Sequence, residues 1–309
     1  MEMISGKRVL LIINPVAGRR LGIKSADEIC AQLRAGGFAV DQVETAAAGD
    51  AVRISREGSH YYDIIACAGG DGTLHEVING VMAEEGEKRP EIMYFPSGTT
   101  NVAATSMGLT GLPRSVISKV VNGAPRPYDI GSFTGAGQSR HFTFMATFGA
   151  FSNVSYETSQ NLKNILGYFA YLLQGIKNLA ELKSYEVNIK CGDAKGDCYE
   201  RADRIIFGNV SNSRSMAGIF KIEFESLRLD DGLFEAMFIK APRNLLELER
   251  IISCLLAGQY DDEYISFYQA SSISIRTPQE IEWGLDGEFA GIFSDVQVRA
   301  LKGAVQIYR

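Results

Sequence analysis

Three short segments of this chain put glycine and polar side chains at the ends of apolar runs, the pattern that binding an anion requires. The most informative is Gly69-Gly70-Asp71-Gly72-Thr73-Leu74-His75, which follows the run Asp63–Ala68 and leads into a helical pattern. A glycine turn exposes backbone N–H groups with no Cβ in the way, and a helix N-terminus adds a favourable dipole, so the combination suits a phosphate. Asp71 would repel that phosphate unless it meets Mg²⁺ or is held aside by hydrogen bonds. Read blandly, the same residues are a tight strand-to-helix turn with Thr73 as N-cap. A second loop, Pro96-Ser97-Gly98-Thr99-Thr100-Asn101, and a third, Asn14-Pro15-Val16-Ala17-Gly18-Arg19-Arg20, have the same setting. At the ends of neighbouring parallel strands the three would converge on one crevice, and two arginines at its edge suit a polyphosphate. Neither G-x-x-x-x-G-K-[ST] nor a G-x-G-x-x-G directly after the first strand is present, so an ordinary P-loop and an ordinary dinucleotide fold are excluded. Two further turns carry paired carboxylates, Asp230-Asp231-Gly232-Leu233 and Leu285-Asp286-Gly287-Glu288. Taken alone, each reads as a turn between strands.

The elements that must position these loops follow from hydrophobic period. Over roughly the first 130 residues, short β-branched runs alternate with helical patterns, the mark of a parallel sheet with crossover helices. Strands are expected over Lys7–Asn14, Phe38–Val43, Asp63–Ala68 and Ile92–Phe95, with helices over Asp50–Glu57, over Leu74–Val81 and from near Asn101. Ser25 and Glu28 form a capping box for a first helix, which Gly36-Gly37 ends. After about Asp129 long alternating stretches appear: His141–Phe148, Tyr185–Lys190, Arg204–Val210, Phe234–Ile239, Ser272–Arg276, Val296–Leu301 and Ala304–Tyr308. Such a series reads as an antiparallel sandwich or barrel, with the β-sandwich as the fold class expected, interrupted by helices over Ser159–Leu182 and Asn244–Ala257. The fold class expected is therefore α/β plus β-rich. A doubly wound parallel-sheet domain spans 1–129, completed by a strand at 303–309, and an antiparallel domain spans 130–302.

Bulk properties agree. A chain of 309 residues is long enough for two domains, and 46% apolar with 22% charged residues supports buried cores. Net charge is −6, the wrong sign for holding nucleic acid by phosphate neutralisation. Five cysteines without C-x-x-C spacing indicate reduced thiols and a cytosolic protein. No secretory signal and no bilayer-spanning apolar run is visible, so membrane contact is expected to be peripheral. The helix near Asn161–Leu182, with Leu162, Ile165, Leu166 and Phe169 on one stripe and Lys163, Lys177 and Lys183 near its ends, suits either a core or a bilayer surface.

Taken in their order along the chain, from Asn14 to Glu288, the five motifs resemble the diacylglycerol kinase catalytic-domain family, which includes soluble bacterial lipid kinases and the sphingosine kinases. The resemblance implies an ATP- and Mg²⁺-dependent kinase acting on a lipid hydroxyl, diacylglycerol or a related lipid, at the inner face of the membrane, with a homodimer as an open alternative. It implies ATP phosphates at Asn14, Pro15, Val16, Ala17 and Gly18 and at Gly69, Gly70, Asp71, Gly72, Thr73, Leu74 and His75, with Thr45 and Thr99 alongside. Glu288 matches the family's general base, Asp286 would orient the site or help hold metal, and Asp71 with Glu288 are the main candidates for Mg²⁺. The main chain of Arg228, the Asp231 carboxylate and the main chain of Leu233 match a further metal site of related bacterial enzymes. Two departures bear on activity and acceptor. Val102 stands where many bacterial members carry an acid, and Ser215–Ile219 is less rich in glycine and proline. A NAD kinase, which shares the Gly-Gly-Asp-Gly-Thr loop, and a non-catalytic nucleotide- or lipid-binding regulator are the alternatives.

Overall fold

The computed structural model describes residues 6–83, 89–98, 101–149, 173, 179, 182–192, 198–212, 228–257, 261 and 263–309. The chain divides into two compact units, one of residues 1–128 with 303–309 and the other of 129–302. Two strands, β5 (Pro125–Gly135) and β13 (Glu288–Tyr308), pass from one unit into the other.

In the first unit β1 (Arg8–Ile13) pairs in parallel with β2 (Ala39–Glu44) on one side and β3 (Ile64–Gly69) on the other. β4 (Glu91–Pro96) follows β3, also in parallel, and Ile307 of β13 pairs with Ile92 beyond it. β3 is buried along its whole length and β1 at all but Arg8, which is why both appear in the sequence as unbroken apolar runs. β2 is an edge strand and mostly exposed. Among the described residues five α-helices accompany this sheet: α1 (Leu21–Ala35), α2 (Asp50–Gly58), α3 (Asp71–Met82), α4 (Val102–Ser106) and α5 (Pro113–Val121). α1 packs on α5, and α2 packs on α3. The chain steps from β1 out to β2, then back across β1 to β3. With right-handed crossovers this puts α1 and α2 on opposite faces and makes the gap between β1 and β3 a topological switch point.

Two local expectations change. α1 starts at Leu21, directly from a 3-10 turn over Ala17–Arg20, so Ser25 lies inside the helix and not at the N-cap position expected of it. At its other end Gly37 takes φ 87° while Gly37 N–H donates to the Arg34 carbonyl and Phe38 N–H to that of Leu33, a paired C-terminal cap. α3 starts at Asp71 rather than Leu74, with Gly70 as the residue before it, so Thr73 sits in the first turn and is not the N-cap. α5 was not foreseen; Pro113 opens it, and it buries Val116, Ile117, Val120 and Val121.

The second unit is antiparallel. β9 (Cys198–Ser211) pairs with β8 (Tyr185–Gly192) through its first half and with β7 (Met145–Gly149) through its second. β12 (Ser272–Leu285) does the same, meeting β8 at Ser272–Arg276 and β7 at Trp283–Leu285. The pairing therefore closes on itself, as in the barrel alternative and unlike a sandwich of two separate sheets. Long strands that change partners, with a register shift between Arg276 and Ile281, achieve this. Trp283 lies in the core, its ring 4.7 Å from Phe148 and 5.2 Å from Phe133. β10 (Phe234–Lys240) alternates: Phe234, Ala236 and Phe238 enter that core, while Met237 and Ile239 pack with Leu248, Ile251 and Leu255 of α6 (Leu245–Ala257). β11 (Ile265–Ala270) pairs with β10.

The stretch His141–Phe148, expected as one strand, is two: β6 (Gln138–Phe142) ends and β7 begins around Thr143 and Phe144. At that break three successive N–H groups turn to a side chain more than a hundred residues away, described below.

Candidate active site

The carboxyl ends of β1, β3 and β4 carry the three glycine loops side by side. Asn14 N–H donates to the Ala68 carbonyl (2.9 Å) and Ser97 N–H to that of Gly69 (2.8 Å), so each loop leaves its strand locked to the next. The Asn14 side chain then bridges the switch point, its Nδ2 donating to Thr73 Oγ1 (3.0 Å) while its Oδ1 accepts from Val16 N–H (3.1 Å). Thr45, at the end of β2, donates from its N–H to the Ile13 carbonyl (2.9 Å). A fourth connection was missed from sequence. Glu76, on α3, accepts N–H groups of Gly49 (2.9 Å) and Ala51 (3.1 Å) and so ties the loop after Thr45 to the helix of the central motif.

Two glycines here are steric necessities. A Cβ on Gly69 would sit 2.5 Å from Thr73 Cβ, and one on Gly98 would sit 2.6 Å from Gly70 Cα. The β3 and β4 loops thus touch backbone to backbone. In α3 the first intrahelical bond is Leu74 N–H to the Gly70 carbonyl, so the N–H groups of Asp71, Gly72 and Thr73 have no acceptor within the helix. Leu74 itself is fully buried and serves the core through its side chain, and His75 is half-buried with Asn79 Nδ2 donating to its carbonyl at 2.9 Å.

Asp71 resolves its own dilemma. Its Oδ2 accepts Val102 N–H (2.7 Å) and its Oδ1 accepts Ala103 N–H (3.2 Å), so the carboxylate caps α4. That arrangement offsets the negative charge at the helix terminus and turns it onto fixed dipoles. It also gives Val102 a role, through its backbone, that its apolar side chain does not suggest. Tyr94, buried in β4, reaches both Asp71 Oδ1 (3.4 Å) and Asn101 Oδ1 (3.3 Å) with its hydroxyl. Burial, and after it the Asp71 charge, hold the Tyr94 phenol well above its usual range and therefore neutral. Thr99 lies outside the described residues, as do the Arg19 and Arg20 side chains.

In the second unit, Leu285 and Glu288 face each other at the end of the β12–β13 hairpin, with Asp286 (φ 50°) and Gly287 (φ 89°) between them. Two positive φ values in a two-residue loop are the reason for Asp-Gly at this place. Asp286 is no solvated turn residue: it is 9% exposed, and its carboxylate accepts N–H from Thr143 (2.7 Å), Phe144 (2.9 Å) and Met145 (3.0 Å). These bonds create the break between β6 and β7. Glu288, by contrast, is exposed, with Phe289 63% and Ile292 48% exposed on the same strand.

The loop before β10 is built around Asp129, which is fully buried and accepts Gly232 N–H (2.6 Å), while its own N–H donates to the Leu229 carbonyl (2.8 Å). Asp129 was not singled out from sequence, since its partners lie about a hundred residues on. Asp231 Oδ1 accepts Leu233 N–H (2.9 Å), and the Arg228 guanidinium pairs with Asp230 (3.0 Å), which raises its pKa further. Among the described residues no group of three His, Cys, Asp or Glu side chains could hold a metal ion. One carboxylate with main-chain carbonyls, all hard oxygen donors, remains a chemically suitable set for Mg²⁺ or Ca²⁺ on this loop. Ser215–Ile219, and all of Ser159–Leu182 except residues 173, 179 and 182, lie outside the described residues. No helix among the described residues is long and apolar enough to cross a membrane.

Comparison with known proteins fits this frame. Residues 8–133 match the family model of the diacylglycerol kinase catalytic domain. The diacylglycerol kinase of Bacillus subtilis (strain 168) is 32% identical over 292 residues, covering 93% of this chain and 91% of the relative. That of Staphylococcus saprophyticus is 31% identical over 287 residues, covering 92% and 90%. A crystal structure from Bacillus anthracis str. Sterne, assigned to the diacylglycerol kinases, superposes with a TM-score of 0.78 at 25% identity, covering 98% of this chain and 97% of its own. Likeness along nearly the full length of these relatives sets aside the NAD kinase and non-catalytic alternatives: the chain belongs to the diacylglycerol kinase family and is a lipid kinase.

Proposed function

We propose that the protein transfers the γ-phosphate of ATP to the hydroxyl of diacylglycerol or a closely related lipid, with Mg²⁺, at a membrane surface it meets peripherally. The observation that carries the reading is the division of labour in the Leu285–Glu288 turn. Asp286 is wholly engaged by three amides, which fixes the turn, and Glu288 is left exposed beside Phe289 and Ile292. A proton acceptor flanked by exposed apolar side chains suits an acceptor that brings both a hydroxyl and acyl chains.

In this reading Glu288 takes the proton of the lipid hydroxyl, whose oxygen attacks the γ-phosphorus as the bond to the β–γ bridging oxygen breaks and ADP leaves. The phosphates lie against the backbone of Asn14–Gly18 and Gly69–His75, with Thr45 and Thr99 alongside. Gly69, Gly70 and Gly72 allow close approach, and the first turn of α3 supplies N–H donors. Asp71 acts by holding α4, and Asp286 by orienting the turn that carries Glu288. Bound Mg²⁺ would supply charge neutralisation to the phosphate oxygens. The Asp231 carboxylate with the carbonyls of Arg228 and Leu233 would hold a separate, structural ion.

The test is incubation with Mg²⁺ and γ-labelled ATP over a panel of diacylglycerols, monoacylglycerol, sphingosine and NAD. Label in an organic-extractable product of diacylglycerol is expected. Transfer to sphingosine or NAD alone, or to none of them, would overturn the assignment.

A further inference from the structure

The geometry points to Tyr94 as a positioning residue for nucleotide binding: its single hydroxyl proton couples the β3 loop to the β4 loop. The inference rests on the reading that these two loops cradle the phosphates. In sequence Tyr94 sits in Glu91-Ile92-Met93-Tyr94-Phe95-Pro96 and passes for core, and its ring is indeed fully buried.

What a core residue does not need is the placement of its hydroxyl. It lies 3.4 Å from Asp71 Oδ1 and 3.3 Å from Asn101 Oδ1, two acceptors from two different loops. Each acceptor already receives one amide, Ala103 N–H on Asp71 Oδ1 and Gly98 N–H on Asn101 Oδ1. A phenol kept neutral by burial has one proton to give, and both bonds are long, as expected for a proton shared between them. Asn101 is in turn a strained residue, with φ 51°, whose Nδ2 donates to the Gly98 carbonyl at 2.8 Å. The Asn101 side chain therefore clamps Gly98 from both its N–H and its carbonyl, and Gly98 is the residue whose Cα leans on Gly70. Tyr94 stands behind this chain of contacts. It fixes the Asn101 clamp on one side and the Asp71 cap of α4 on the other, so the spacing of the two glycine backbones depends on it.

Tyr94→Phe keeps the ring and removes only the hydroxyl, so the fold is retained. Losing one shared hydrogen bond should weaken ATP about tenfold, read as KM for ATP in the lipid kinase assay and as Kd for ATP by calorimetry without lipid. KM for diacylglycerol should not move. A purely structural role would lower thermal stability without this split between the substrates. Asn101→Gly, which accepts the positive φ but removes the shared acceptor, should weaken ATP similarly. The double variant should be no weaker than the worse single one, because both act through one contact. Gly98→Ala separates the two ideas. If it abolishes ATP binding while Tyr94→Phe binds ATP like the parent, the loops hold the nucleotide and Tyr94 has no part in it. If neither change affects ATP, the loop reading fails and the Tyr94 assignment with it. Additive losses in the double variant would also overturn the coupling.

Discussion

Asp71 and Asp286 occupy similar sequence settings in different units, each an acid beside glycine in a motif that invites a metal. In the structure both are anchors. Asp71 takes the N–H groups of Val102 and Ala103, and Asp286 takes those of Thr143, Phe144 and Met145. They differ in what they leave exposed. Around Asp71 the exposed chemistry is backbone, the N–H groups of a helix start lined by glycine. Around Asp286 it is one side chain, Glu288. A phosphate needs several fixed donors and a hydroxyl needs one acceptor, and the two turns are built accordingly.

Breaking each anchor tests that comparison. Asp286→Ala strands three buried amides and puts alanine at positive φ, so a loss of about 3–5 kcal/mol is expected, visible as a lowered denaturant midpoint. Asp71→Ala strands two amides in a half-buried setting, and about 1–3 kcal/mol is expected. Unlike the first variant it should also weaken ATP, because α4 and the β4 loop lose their cap. Equal stability losses for the two, or an Asp71 variant with unchanged ATP affinity, would blur the distinction.

A third anchor sharpens the contrast from the other end. Asp50, at the start of α2, accepts N–H groups of Ala46 and Ala47, which hold its carboxyl below the usual aspartate range, but its side chain is only partly buried. A depressed folded pKa gives stability that is present above the unfolded value near 3.9 and lost as pH falls through the folded one. Asp50→Ala should therefore lower Tm by only a degree or two, roughly, at neutral pH. The gap from the parent should close in strong acid and stay constant from pH 5 to 8. A gap that widened below pH 4 would refute this account.

What could be read from sequence follows the range of the forces involved. β1 and β3 were legible because burial on both faces leaves an uninterrupted apolar run, and the glycine loops because a close backbone approach admits no other residue. The start of α1 was misread since Ser-x-x-Glu is a local pattern that a preceding 3-10 turn can override. The split of β6 from β7 was hidden because its cause, Asp286, is far along the chain. Tyr94 and Asp129 were hidden for opposite reasons, one because its ring is a good core residue and the other because its partners are distant amides. β5 and β11 were passed over: β5 opens on Pro125-Arg126-Pro127, which reads as a turn, and β11 is six residues long with mixed polarity.

The most direct test of the whole account is Glu288→Gln, with phosphoryl transfer to diacylglycerol and ATP affinity measured on the same preparation. The proposed base is replaced by an isostere that cannot accept the proton, while nothing in the first unit changes. Transfer should fall by at least about a hundredfold, with ATP affinity within about twofold of the parent. Retained transfer would contradict the base assignment, and loss of ATP binding together with transfer would contradict the division between the two turns.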